Sequence, residues 1–593
     1  MKVRGTFYLL IFSALAMFAF APNDVTAQSS STERVILRLN VDTVPEPLLS
    51  DTSATAQRST IQNAQTLASF VIAPLPNARV RTRFETLPYL VVEVDAATRS
   101  RLENSPLVRS IEDDIPIPLS IDRTAPAQTS SANLFVGAQE AWSYGFDGSG
   151  QTVGIIDTGV DNMHPALAGK VVFEGCFTDG DCVEGLDAVL GPDVALPFEC
   201  DDCDHGTHVA GIVAGKDGDF SGVAPGASIA AMNAFSLFGE AGSNDASMCE
   251  TFNLDAPCTL SYTSHQVFAL EVLYLYRNDY NIAAVNMSLG GSGAYSSTCD
   301  NSLTSVFLDA VEALRLVDIP VIAASGNGSS STGIALPACA SNIISVGAVN
   351  NIDVVLRFSN SAAILDLLAP GNAITSSLPG GGYGMKWGTS MATPYVSGTW
   401  AIMRQTYPNL DLDDILLRLK RTGRIVTDSR NNLEFPRIQV NALIREALGY
   451  PYIPPGLTNA FVTRRDFETV LLQQAQGGVS PTGARFIGRQ IEILVEASDV
   501  EVAVMIRPWS EEGTISFAVI SQERTDGSTL NQTTRNLIGD VLPEILVATF
   551  DTILSSDCFA ANFDADVIYI DDLGLLRIYG TPDVSCPPYQ PNG

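Results

Sequence analysis

Short apolar runs alternate with helical stretches and glycine-rich turns from Leu134 to Leu448. The runs cover 152–157, 228–233, 283–288, 321–324 and 343–348, and helical patterns such as 264–277 and 302–316 lie between them. Strands that apolar have no face to give to solvent, so each must be covered on both sides. Alternation with helices supplies that cover through parallel crossovers. The expected architecture over residues 134–449 is α/β, a doubly wound, mostly parallel sheet. In such a sheet, sites form at the C-terminal ends of the strands.

The flanks read differently. Residues 28–120 contain alternating segments at 33–40, 79–84, 89–94 and 108–111, and helical segments at 54–72 and 96–104. The order β-α-β-β-α-β is that of a compact α+β unit. In its long helix, Ile61, Leu67, Phe70 and Val71 stand near helical spacing. The Pro/Ser/Thr-rich segment 116–131 reads as exposed, with the interdomain linker at 121–133. Residues 450–455 (YPYIPP) form a stiff second linker. Residues 456–593 are expected to be a further α+β domain. It has helices over 461–474 and 534–554, strands over 490–506 and 514–521, and a closing hairpin from 567–570 and 575–579.

The first residues carry an address. Lys2 and Arg4 precede an uncharged stretch from Phe7 to Ala21, and Val25-Thr26-Ala27 offers small residues for a peptidase. This is the pattern of a cleaved secretory signal over residues 1–27, too short in its apolar part to span a bilayer. The mature protein is expected to be secreted and free of the membrane. A net charge of −32, from 34 Lys+Arg against 66 Asp+Glu, excludes nucleic acid and anionic membrane surfaces as partners. Ten cysteines on an export route read as disulfides. Sequence does not fix their connectivity. Nearest-neighbour pairing joins Cys176–Cys182, Cys200–Cys203, Cys249–Cys258, Cys299–Cys339 and Cys558–Cys586. The four cysteines just before His205 would also suit zinc, which export disfavours.

Three motifs place reactive groups where a doubly wound sheet puts sites. Val153-Gly154-Ile155-Ile156-Asp157-Thr158-Gly159 ends a strand on a carboxylate. Asp204-His205-Gly206-Thr207-His208-Val209-Ala210-Gly211 opens a helix on a histidine. Gly388-Thr389-Ser390-Met391-Ala392-Thr393-Pro394 opens another on a serine. Taken singly, Asp157 could be a strand-end cap, His205 a helix-start histidine and Ser390 an N-cap. Together they supply a nucleophile, a base and the anion that orients the base.

In that order and wording the motifs resemble the subtilisin family of secreted serine endopeptidases, whose triad runs Asp, His, Ser along the chain. The resemblance covers residues 134–448, and residues 28–120 resemble the family's inhibitory prodomain. It implies catalytic roles for Asp157, His205 and Ser390, and an oxyanion-hole role for Asn327 within Ala323-Ala324-Ser325-Gly326-Asn327. It implies substrate contacts at Ser288, Leu289, Gly290 and Gly291, whose backbone would pair with an extended peptide, and at Ser325 and Gly326. Its partners would be protein or peptide substrates and its own prodomain, docked by its C-terminal tail and removed by self-cleavage between Pro116 and Ser131. Two rival readings use the same residues: a binding protein on a protease scaffold, and a peptide ligase.

Several features depart from the family pattern. No cofactor is required for the chemistry, but structural calcium is common in the family. The asparagine-rich calcium loop is missing here, and Asp179, Asp181, Asp217 and Asp219 are the alternative oxygen ligands. Gly328 stands where some members carry an acid, so a broad or apolar preference before the cleaved bond is expected. His208 is expected to be structural, and His164 and His265 to be exposed.

Overall fold

The computed structural model describes residues 32–119 and 132–447, except 76, 201, 219, 240–246, 253 and 292. Beyond 447 it describes short stretches, mostly strands, between 458 and 581. The signal segment, both linkers, Cys558 and Cys586 lie outside the described residues.

The N-terminal unit is a four-stranded antiparallel sheet in the order Arg79–Arg83, Tyr89–Val94, Glu33–Leu39, Val108–Asp113. Its two helices are Asp51–Ile72 and Ala96–Glu103. Period-2 alternation divides the strands between two cores. Val35, Leu37, Leu90, Val92 and Val94 pack on Ala68, Ile72 and Leu102 of the helices. Ile36, Tyr89 and Val91 face the other way and join the core of the large domain. The long helix buries Ile61, Gln65, Ala68 and Ile72. Leu67, Phe70 and Val71 lie on its exposed side instead. The i, i+4 ladder that includes a polar glutamine is the buried one, because Gln65 Nε2 donates to the carbonyls of Phe84 and Tyr89.

The large domain is built on one ten-stranded sheet. Its order is Arg424–Asp428, Leu433–Arg437, Leu367–Pro370, Ile344–Val349, Val321–Ala324, Ile282–Met287, Thr152–Asp157, Ser228–Asn233, Val171–Phe177, Ala188–Leu190. The eight inner strands are parallel, and the outermost strand at each edge is antiparallel. One face carries the helices Thr263–Leu275 and Ser305–Arg315. The other carries His205–Ala214, Thr389–Thr406 and Leu412–Thr422. Both faces are therefore covered, as all-apolar strands require.

The described C-terminal residues are mainly strands, in two antiparallel sheets. One orders Thr458–Val462, Leu576–Thr581 and Asp564–Ile570. The other orders Val479–Ile487, Gln490–Ala497, Val500–Glu511 and Thr514–Arg524. The helix expected from 461 begins instead as strand Thr458–Val462, and the strand expected over 490–506 is two paired strands. Most of the helix expected over 534–554 lies outside the described residues.

Four disulfides form: Cys176–Cys182, Cys200–Cys203, Cys249–Cys258 and Cys299–Cys339. The cysteines before His205 are thus cross-linked and not available to zinc as thiolates.

Candidate active site

Thr152–Asp157 is central in the sheet and wholly buried, and it delivers Asp157 to the C-terminal edge. His205 opens the helix beside it, with Nδ1 at 2.8 Å from Asp157 Oδ1. The same Oδ1 accepts from the backbone N–H of Thr158 at 2.8 Å. Both side chains are buried, so the pair interacts in a low-dielectric setting where a charge-assisted hydrogen bond counts for more. Gly206 is what lets the helix come this close. A Cβ there would lie 2.2 Å from Gly159 O and 3.1 Å from Asp157 Oδ1.

Ser390 lies in the first turn of Thr389–Thr406, which packs against the helix of His205. Its Oγ donates to Ser288 O at 2.9 Å, and Ser288 Oγ donates back to Ser390 O at 2.8 Å. The nucleophile candidate is thereby tied to the first residue of the expected substrate segment. Asn286 extends this link: its Nδ2 donates to Ser288 Oγ, and its Oδ1 accepts from Ser397 Oγ. His205 Nε2 is buried with no hydrogen-bond partner, the state of a base awaiting a proton donor.

Asn327 is held by its amide oxygen, which accepts from Thr389 N and Thr389 Oγ1, both at 3.0 Å. The Nδ2 end therefore turns away from Thr389. Gly326, at φ +97, makes the bend before it, and a Cβ there would lie 2.6 Å from Asn360 Nδ2. Ser325 is locked by the same asparagine, donating to Asn360 O and accepting from Asn360 Nδ2.

The segment Ser288–Gly291 forms one wall of a cleft, and sequence reasoning missed the opposite wall. That wall is the strand Cys258–Tyr262, too short to announce itself beside the long helical pattern that follows. The cleft is filled. The N-terminal unit's tail, Pro116–Pro118, pairs antiparallel with it: Pro116 opposite Tyr262, Ile117 opposite Ser261, Pro118 opposite Leu260. Leu119 then bridges to Leu289 on the other wall. Ile117 lies against Gly291, 3.5 Å from where a Cβ would stand, and Gly291 N donates to Leu336 O at 2.8 Å. Gly290 lies between the two contacts and is buried. Pro116 thus starts a paired strand, where composition alone suggests an exposed linker.

The other histidines are structural. His208 is buried, and its Nε2 reaches Ile374 O at 3.0 Å and Gly384 O at 3.1 Å, tying the helix to the hairpin of Ile374–Leu378 and Gly382–Lys386. Burial, with smaller contributions from Lys386 and His205, pushes its pKa down to about 3. His164 and His265 are buried as well, at 0% and 4% exposure, contrary to expectation. His164 accepts from Ala166 N and meets Gly382 O at 2.8 Å.

The acids suggested for calcium are not brought together. Asp179 faces Arg81 and Arg34, Asp181 accepts from Leu237 N, Asp217 accepts from Tyr383 OH, and Asp219 lies outside the described residues. Among the described residues, no group of three or more potential ligands forms a metal site. These residues do not fit a calcium site.

Comparison with known proteins agrees with the geometry. The model of the subtilase family matches residues 148–439. The chain is similar to a thermophilic serine proteinase of Bacillus sp. (strain AK1), 31% identical over 335 residues, covering 55% of this chain and 70% of that protein. It is 30% identical to subtilisin E of Bacillus subtilis (strain 168) over 360 residues, covering 59% and 79%. With the subtilisin of Bacillus pumilus the identity is 33% over 296 residues, covering 48% and 88%.

Proposed function

The chain belongs to the subtilase family as a subtilisin-like serine endopeptidase, and from that premise we propose that Asp157, His205 and Ser390 perform its hydrolysis. The observation that carries the reading is the buried 2.8 Å His205–Asp157 pair at the strand ends that also receive Ser390. In the proposed cycle Ser390 Oγ leaves Ser288 O, gives its proton to His205 Nε2 and attacks the scissile carbonyl. Asp157 keeps Nδ1 protonated and stabilises the ring once it is charged. Asn327 Nδ2 and the Ser390 backbone N–H receive the oxyanion. His205 then protonates the leaving amine, and water repeats the steps to release the acyl group. No cofactor takes part.

The proposal extends to the N-terminal unit as an inhibitory prodomain. Its tail has the antiparallel pairing that a substrate would use, main chain against both cleft walls. Leu119 is opposite Leu289, and continuing that register by one residue would bring Ser120 opposite Ser288, the residue tied to Ser390. We place self-cleavage after Ser120. Export through residues 1–27 and a broad or apolar preference before the cleaved bond complete the reading.

A serine-directed fluorophosphonate tests it. It should label Ser390 in the processed protein, and Ser390→Ala should lose both labelling and peptide hydrolysis while remaining a full-length chain. An Ser390→Ala protein that still separates its N-terminal unit, in the absence of other proteases, would refute self-cleavage.

A further inference from the structure

A cavity of about 290 Å³ remains open beside Leu119, on the side of the cleft toward His205. Its walls include Glu199, Asp202, Leu254, Asp255 and Pro257, and none of its lining residues is basic. The walls are built and held. Cys200–Cys203 clamps the segment that carries Asp202, and Cys249–Cys258 clamps the one that carries Leu254 and Asp255. Each is joined to the machinery already described. Asp202 O accepts from His205 N, and Cys203 O accepts from Thr158 Oγ1. Thr259, also in the lining, leads directly into the strand that pairs with the tail.

Two independent observations meet here: three carboxylates around an open cavity, and a substrate-like strand whose Leu119 side chain adjoins it without filling it. An arginine or lysine at that position has what the cavity lacks. Its aliphatic stem would cover Leu254 and Pro257, and its charged head would meet Glu199, Asp202 and Asp255. We propose that this disulfide-clamped cavity is a specificity pocket that selects a basic side chain at the substrate position held by Leu119 in the tail, the second residue before the cleaved bond. The inference rests on the reading of the tail as a substrate mimic. Leucine in the tail is then a mismatch, so a matched substrate competes well against the tail.

The test uses the processed enzyme and fluorogenic peptides that differ only at that position, carrying Arg, Leu or Glu. The kcat/KM for Arg should exceed that for Leu by about tenfold, with Glu lowest, and the Arg advantage should shrink between low and high salt. Glu199→Gln should lower the Arg-to-Leu ratio, and Glu199→Gln/Asp202→Asn/Asp255→Asn should bring it to about one. The salt titration needs no variant, so a misfolded triple variant does not spoil the test. Leu equal to or better than Arg in the unaltered enzyme, an Arg preference only at another position, or a ratio unchanged in the folded triple variant overturns the proposal. Failure of the peptidase reading itself looks different: no peptide is cut and Ser390 is not labelled.

Discussion

Arg34 of the N-terminal unit donates to His265 of the large domain, with Nη2 at 3.0 Å from Nε2. A guanidinium can only donate, so the ring accepts there and is neutral. The same guanidinium pairs with Asp114 at 2.7 Å and lies over the Tyr262 ring at 4.4 Å. Arg34, Asp114 and Tyr262 therefore enclose His265, with Arg81 and Asp179 beyond them.

This contact predicts a pH dependence for release of the N-terminal unit. Burial, then Arg34 and Arg81, hold the His265 pKa well below 6.5 in the docked form. Undocked, the ring returns toward 6.5. Below that value the separated form binds a proton that the docked form does not, so docking weakens as pH falls, by about tenfold per pH unit for one proton. Glu271 opposes this at lower pH. Burial raises its pKa above 4.5 while it accepts from Glu85 N, Thr86 N and Thr86 Oγ1, so its contribution to docking grows as pH falls toward 4.5. The lag before peptidase activity should shorten between pH 7 and 5.5, and His265→Gln should flatten that response. An identical pH response in the variant would sink the idea.

Asn327→Ala should lower kcat by roughly 10²–10³ with little change in KM, the magnitude established for the corresponding donor of subtilisin. Steady-state kinetics on a small peptide check it. A rise in KM at constant kcat would mean that Asn327 binds the ground state instead.

Gly206→Ala should cost far more than a helix alanine normally does. The added Cβ would meet Gly159 O at 2.2 Å, and backbone cannot step aside as a side chain can. The His205–Asp157 pair must separate, so the expected result is a processed yield near zero and a lower Tm in the Ser390→Ala background. Processing at the normal rate would show that the helix has room.

Replacing Cys299 and Cys339 by alanine opens a cross-link between residues 40 apart in sequence. Chain entropy sets the loss at about 3–4 kcal/mol. Denaturant unfolding of the inactive Ser390→Ala protein reads it as a lower midpoint with a similar slope.

The parts legible in the sequence were those that local chemistry dictates. Gly206 and the small residues after it are required where a helix meets the Asp157 loop, so the histidine motif announces its own packing. The all-apolar strand 152–157 likewise has only one kind of home. The rest depends on what lies opposite. His265 reads as one more polar residue near a helix start until Arg34, far away in the chain, covers it. Leu67, Phe70 and Val71 offer as good a helical stripe as Ile61, Ala68 and Ile72, and the sheet's carbonyls decide through Gln65. The wall Cys258–Tyr262 becomes visible only with the tail paired to it.

The sheet order also sets a timetable. Asp157 and His205 are made early, while Ser390 lies beyond all but the outermost strand pair on its side of the sheet. The tail that fills the cleft is made before any of them. A chain emerging from the ribosome therefore carries its restraint before it carries its nucleophile, and a truncated product that stops short of Ser390 is inert. The order of synthesis is itself a safeguard for the cell that makes this peptidase.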